Sequence, residues 1–143
     1  MKILQLTNKV PYPTNDGGAI ACMNLTRGFS MLGHKVTVQS MNTLKHFIEL
    51  DDIPESVKDW GEFRLVDVPA EINIYAAVFN FFFSRKPYNA VRFISKSFSQ
   101  ELIKLLQEKE FDIVQLEGLY VCPYIPIIRQ YSKAKIVYRS HNI

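Results

Sequence analysis

The sequence predicts an α/β fold built on a parallel sheet, and two observations predict it. Short runs rich in Ile, Val and Leu recur along the chain, and the stretches between them carry apolar residues at helical spacing. Strands of that composition are buried on both faces, as in a parallel sheet covered by helices. Right-handed crossovers then make a doubly wound, Rossmann-like sheet, with three layers α/β/α, the simplest topology. At 143 residues and 48% hydrophobic, the chain is long enough to bury one core and too short for two, so a single domain over 1–143 is expected.

Lys2 to Thr7 (KILQLT) reads as the first strand, bounded by a segment dense in turn formers: Asn8, Pro11, Pro13, Asn15, Asp16, Gly17 and Gly18. From Ala19 the residues Ile20, Met23, Leu25, Phe29 and Leu32 recur at helical spacing, with Asp16 available as a cap and Gly33 at the end. Val36 to Ser40 is the second strand. Met41 to Gly61 shows no sustained period and is expected to be loop with one or two short helical turns. Phe63 to Val68 alternates as a third strand, closed by Pro69. A helix is expected over Ile72 to Phe83, interrupted by Pro87. Val91, Ile94, Phe98, Leu102, Leu105 and Leu106 then mark a long amphipathic helix reaching about Lys109. Asp112 to Leu116 is the fourth strand, Tyr120 to Tyr131 a helix cut near its start by Pro123 and Pro126, and Lys135 to Arg139 the fifth strand.

Composition excludes several function classes. A net charge of +3 without a Lys/Arg run lacks the footprint of a nucleic-acid binder. Cys22 and Cys122 lie far apart in apolar stretches and read as reduced core thiols of a cytoplasmic protein. No His/Cys/Asp/Glu spacing resembles a metal site. No signal-peptide pattern opens the chain. The apolar run Ile74 to Phe83 has ten residues, half of the roughly 20 needed to span a bilayer. It is expected as a core helix, with a peripheral membrane contact as the alternative, since Arg85 and Lys86 follow it. Ile143 follows the fifth strand with no closing helix, which reads as a truncation.

Ligands of open parallel sheets collect at the carboxyl ends of the strands. Three loops therefore carry the candidate site: Asn8 to Gly18, Glu117 to Leu119 and Ser140 to Ile143. Asp16, Gly17 and Gly18 stand at the start of a helix, where small residues let a phosphate approach unpaired N–H groups. The pattern is neither GxGxxG nor a Walker A loop. Glu117 is a polar group facing the same crevice. His141, beside Asn142, can hydrogen-bond a hydroxyl or phosphate or act as a base near neutral pH. His34 and His46 read as surface or capping groups.

The first strand, the loop PYPTNDGGA, the helix NLTRGFSMLGHKVTV and the late VYRSHNI together resemble the amino-terminal domain of family 4-like retaining glycosyltransferases of the GT-B fold, over nearly the whole chain. The resemblance implies that Gly17 and Gly18 reach the diphosphate of a nucleotide-sugar donor, and that His141 stands beside the reacting sugar. Position at the crevice nominates Asp16, Glu117 and Asn142 for substrate contacts, and the resemblance implies no metal and no cofactor beyond the nucleotide sugar as co-substrate. A glycan or lipid-linked acceptor is implied as the second partner, nucleic acid is not, and most of the donor site belongs to a carboxyl-terminal domain without counterpart here. An epimerase or dehydrogenase would want a glycine turn directly after the first strand, whereas ten residues separate Thr7 from Gly18. A receiver-like module would want acidic residues where Thr7 and Asn8 stand. A non-catalytic Rossmann-like module for a phosphorylated ligand or a membrane surface remains the alternative.

Overall fold

The computed structural model describes residues 1–68 and 94–140. Five strands form one parallel sheet: β1 (Lys2–Thr7), β2 (Lys35–Thr43), β3 (Glu62–Val68), β4 (Ile113–Glu117) and β5 (Lys135–Arg139). Their spatial order is β3-β2-β1-β4-β5. The chain thus builds outward from β1 to one edge, returns, and builds to the other, and β1 and β4 flank the reversal point.

Alternation along the strands makes two cores. Leu4 and Leu6 of β1, Met41 of β2, Val66 and Val68 of β3 and Val114 and Leu116 of β4 point to one face. There they meet α3 (Lys96–Glu108) through Phe98, Leu102, Leu105 and Leu106, and α4 (Ile125–Tyr131) through Ile128. Val36, Val38 and Phe63 point to the other, toward Met23 of α1 (Gly17–Met31) and Val57 of the short α2 (Glu55–Lys58). Helices on both faces bear out the three-layer expectation. No helix among the described residues is long and apolar enough to cross a membrane.

The two long helices, α1 and α3, start where a side chain satisfies a free N–H group. Asp16 accepts from Ala19 N at 3.0 Å at the head of α1, and Ser95 Oγ accepts from Phe98 N at 3.3 Å at the head of α3. Ile94 therefore precedes α3 instead of belonging to its apolar face, and it is 51% exposed. Past the Leu32 cap of α1 the chain turns at Gly33, whose φ of 78° is a left-handed conformation that glycine adopts without Cβ strain.

Several boundaries differ from the sequence reading. β2 continues past Ser40 because Met41, Asn42 and Thr43 keep pairing with Val66, Asp67 and Val68. Buried Asn42 is tolerated there because its amide bonds both backbone groups of Ile48 and the Asp67 carboxylate. The segment that follows holds two 3₁₀ turns, Leu44–His46 and Leu50–Asp52, and α2. β4 begins at Ile113, since the Asp112 carboxylate caps the sheet by accepting from Lys2 N at 2.6 Å. The helix read over Tyr120 to Tyr131 divides into a 3₁₀ turn, Leu119–Tyr124, and α4, because Pro123 and Pro126 supply no N–H to a continuous ladder. β5 has the expected bounds but is not covered on both faces: Val137 and Tyr138 are 44% and 45% exposed. The helix expected over Ile72 to Phe83, the break at Pro87 and Val91 lie outside the described residues.

Gly61 stands before β3, where an added Cβ would lie 2.8 Å from the Val36 carbonyl oxygen. That oxygen belongs to backbone inside the sheet and cannot swing away. Gly61→Ala is expected to destabilise the fold by about 1–3 kcal/mol, the range of overpacked sites. Urea unfolding measures this, and a loss below about 0.5 kcal/mol, the scale of ordinary surface changes, would mean that the turn shifts freely.

Candidate functional site

A cleft of about 770 Å³ opens at the carboxyl ends of the paired strands β1 and β4, where the order of strands reverses. Its size lies within the roughly 300–1,000 Å³ usual for ligand pockets. The β1 exit supplies Thr7, Asn8 and Lys9, the α1 start supplies Asp16, Gly17 and Gly18, and the β4 exit supplies Glu117, Gly118 and Tyr120. Arg139 and Ser140 close it from β5.

The β1 exit is pinned by Thr7, whose buried hydroxyl lies 2.7 Å from the Lys9 carbonyl oxygen and 2.7 Å from Ser40 Oγ. That contact sets the direction in which the loop leaves the sheet. The loop returns to the helix at Asp16, which pairs with Lys9 as well as capping Ala19 N. The Lys9 ammonium, then the Ala19 N–H, hold the Asp16 carboxyl below its ordinary value of 3.8. A lowered folded-state pKa stabilises above the free value, and this contribution disappears as pH falls through the lowered one.

Gly17 is the first residue of α1. A Cβ built on it meets nothing within 4 Å, and its φ is not left-handed. The fold therefore requires neither the glycine's small size nor its conformational freedom at this point. What its bareness leaves is room in the cleft beside the first N–H groups of a 15-residue helix.

Glu117 is the last residue of β4, not a loop residue beyond it, and it is 3% exposed. Its carboxylate accepts from Arg139 Nη1 at 2.6 Å and from Gln115 Nε2. The following Gly118 has φ 87°, and its N–H donates to the Arg139 carbonyl at 3.1 Å. Two strand ends are thus joined by backbone and side chain together. Cys22 of α1 also borders the cleft, but burial first, and the nearby Glu117 charge second, push its thiol up to about 12. It stays protonated at neutral pH and offers no thiolate nucleophile. Both cysteines are free, Cys22 buried and Cys122 half-buried.

Of the residues singled out from sequence, the structure brings Asp16, Gly17, Gly18 and Glu117 to one cleft. His141 and Asn142 lie outside the described residues. His34 sits with Nδ1 3.3 Å from the amino terminus, and His46 is exposed in a 3₁₀ turn; neither lines the cleft. Sequence reasoning missed Lys9 and Arg139. Arg139 read as the end of a strand, and only its pairing with a carboxylate 22 residues away marks it. Among the described residues no group of three or more His, Cys, Asp or Glu is placed to hold a metal ion.

No family model matches the chain, and no curated protein matches it. Among solved structures it is similar to the carboxyl-terminal domain of a hydrogenase from Pyrococcus furiosus, with a TM-score of 0.54 and 15% identity, over 96% of this chain and 89% of that one. A universal stress protein in complex with cAMP aligns over 97% of this chain and 98% of that one, with a TM-score of 0.39 and 6% identity, too loosely to carry an argument. The hydrogenase likeness is one of fold alone: the chain is a Rossmann-like α/β domain with its cleft at the reversal of strand order.

Proposed function

We propose that this domain is the acceptor-side half of a GT-B glycosyltransferase, which transfers a sugar from a nucleotide-sugar donor to a glycan or lipid-linked acceptor with retention of configuration. The observation that supports the reading best is the bare start of α1. Gly17 leaves open space directly in front of the helix N-terminus, inside the cleft at the strand-order reversal. In sugar transfer the bond from the anomeric carbon to the diphosphate breaks, and negative charge grows on the leaving oxygens. A helix N-terminus fixed in a cleft stabilises such charge without reorganising. The sequence resemblance adds His141 beside the reacting sugar and a partner domain that carries most of the donor, and position at the crevice adds Asn142 and Glu117 toward substrate. Free cysteines fit a reducing, cytoplasmic location, and a peripheral contact at the inner face of the membrane is part of the same proposal.

The non-catalytic alternative, a module that binds a phosphorylated ligand, draws on the same helix terminus. Donor turnover separates the two. The complete gene product, incubated with nucleotide sugars and acceptor glycans, is expected to release nucleoside diphosphate in step with transfer; binding without release favours the module.

Two substitutions sharpen the test. Gly17→Val is expected to weaken donor binding at least tenfold by filling the space a diphosphate would take, while the thermal midpoint stays close to that of the parent. Calorimetric titration with the donor decides it, and unaltered affinity would mean that the glycine only begins the helix. His141→Ala is expected to lower kcat by about 10²–10⁴-fold, the usual worth of a positioned acid or base, with the circular-dichroism spectrum unchanged. Unchanged turnover removes His141 from the site.

A further inference from the structure

We infer that Arg139, oriented by the enclosed carboxylate of Glu117, is the side chain that holds a phosphate oxyanion of the ligand in this cleft. The inference rests on the proposed reading for its ligand class, a diphosphate, but not for any transfer step.

Glu117 and Arg139 are register partners at the carboxyl ends of adjacent parallel strands, so their side chains share one face of the sheet. The pair is lopsided: the Glu117 side chain is 2% exposed and that of Arg139 28%. The carboxylate is enclosed, while the guanidinium reaches the open space that both residues line. Glu117 is held from a second side by Gln115. Its position, and through it that of Arg139, is therefore set by the sheet.

Stability does not explain such a pair. Two well-packed apolar residues would join the strand ends as firmly, without the cost of desolvating a carboxylate. What an apolar pair would not provide is a cation fixed at the edge of the cleft. Arg carries five N–H donors in a planar fork suited to phosphate oxygens. Among the described residues its side chain hydrogen-bonds Glu117 alone, through Nη1. The other cation lining the cleft among the described residues, Lys9, is paired with Asp16. Lys9 also keeps N–H donors, but it sits on a flexible stem paired with a half-exposed carboxylate, whereas Arg139 presents a planar fork held by an enclosed one; Glu117 is its positioning residue.

Inorganic pyrophosphate is the probe, titrated calorimetrically into the protein and its variants. Glu117→Gln keeps the volume and an acceptor for Arg139 while removing the counter-charge, and it is expected to bind pyrophosphate at least as tightly as the parent. The double variant Glu117→Gln/Arg139→Gln, which buries no unpaired charge, is expected to bind at least tenfold more weakly than Glu117→Gln. Arg139→Lys on the Glu117→Gln background should recover part of the loss. Equal affinity of Glu117→Gln and the double variant overturns the inference, as does absence of pyrophosphate binding by the parent. Should the double variant fail to fold, the Arg139 Nε–H resonance of the parent decides: it shifts on titration if the guanidinium takes the anion, and an unmoved resonance overturns the assignment. Donor and lipid-linked acceptor both present a diphosphate, so competition by UDP or by farnesyl diphosphate tells which source Arg139 serves; either supports it. Arg139-dependent pyrophosphate binding in a protein without transferase activity leaves this inference standing and removes only the transferase reading, whereas transferase activity indifferent to Arg139 does the reverse.

Discussion

Residues Ile3 to Thr7 of β1 are shut away from water on both faces and flanked by a strand on each side. Every backbone N–H and C=O there must find its partner within the sheet, because an orphaned group would cost as much as a lost hydrogen bond. That constraint requires β2 and β4 to pair along β1, and the pattern of buried side chains selects the register, from Lys2↔Lys35 to Thr7↔Ser40 on one side and from Ile3↔Ile113 to Thr7↔Glu117 on the other. Asp16 and Glu117 both reach the cleft by this route, Asp16 at the end of the loop that leaves β1 at Thr7 and Glu117 as the register partner of Thr7 on β4. Even the polar side chains within the strand obey it: Gln5 Oε1 accepts from Thr26 Oγ1 at 2.6 Å, which ties α1 to the centre of the sheet.

Local pattern carried most of the fold into view from sequence. β5 is bounded by the residues its KIVYR run suggests, and the Asp16 cap and Gly33 stop are local chemistry that a short window contains. What the sequence hid depends on partners distant along the chain. Asn42 looks like a strand terminator until its amide is seen bonding Ile48 and Asp67. Ile94 fits the helical period of Phe98 and Leu102, but Ser95 captures the Phe98 N–H and starts the helix one turn later. The same limit applies at the cleft. The glycines and Glu117 were legible because position after a strand suffices to nominate them, whereas the role of Arg139 exists only through a contact between two strands.

The polar groups at the cleft and those in the core are handled differently. Around the cleft, charged side chains come in pairs, Lys9 with Asp16 and Arg139 with Glu117. In the core, Gln39 lies 1% exposed with neither amide atom hydrogen-bonded, and Gln5 Nε2 is likewise unpartnered. Buried amides without partners cost free energy, and nothing in the described structure explains why Gln39 is kept.

The double tie between β4 and β5, Gly118 N–H to the Arg139 carbonyl and Arg139 Nη1 to Glu117, has a mechanical side. The segments leaving these two strands begin from a single cross-braced platform. A load applied to one, by a ligand settling or a neighbouring domain swinging in, is shared by the other before it reaches the rest of the sheet. The far lip of the cleft is thus cross-braced opposite the start of α1, while the lip between Thr7 and Gly17 is the longer one, carries Pro11 and Pro13, and is tied only near its two ends, by Thr7 and by the Lys9–Asp16 pair.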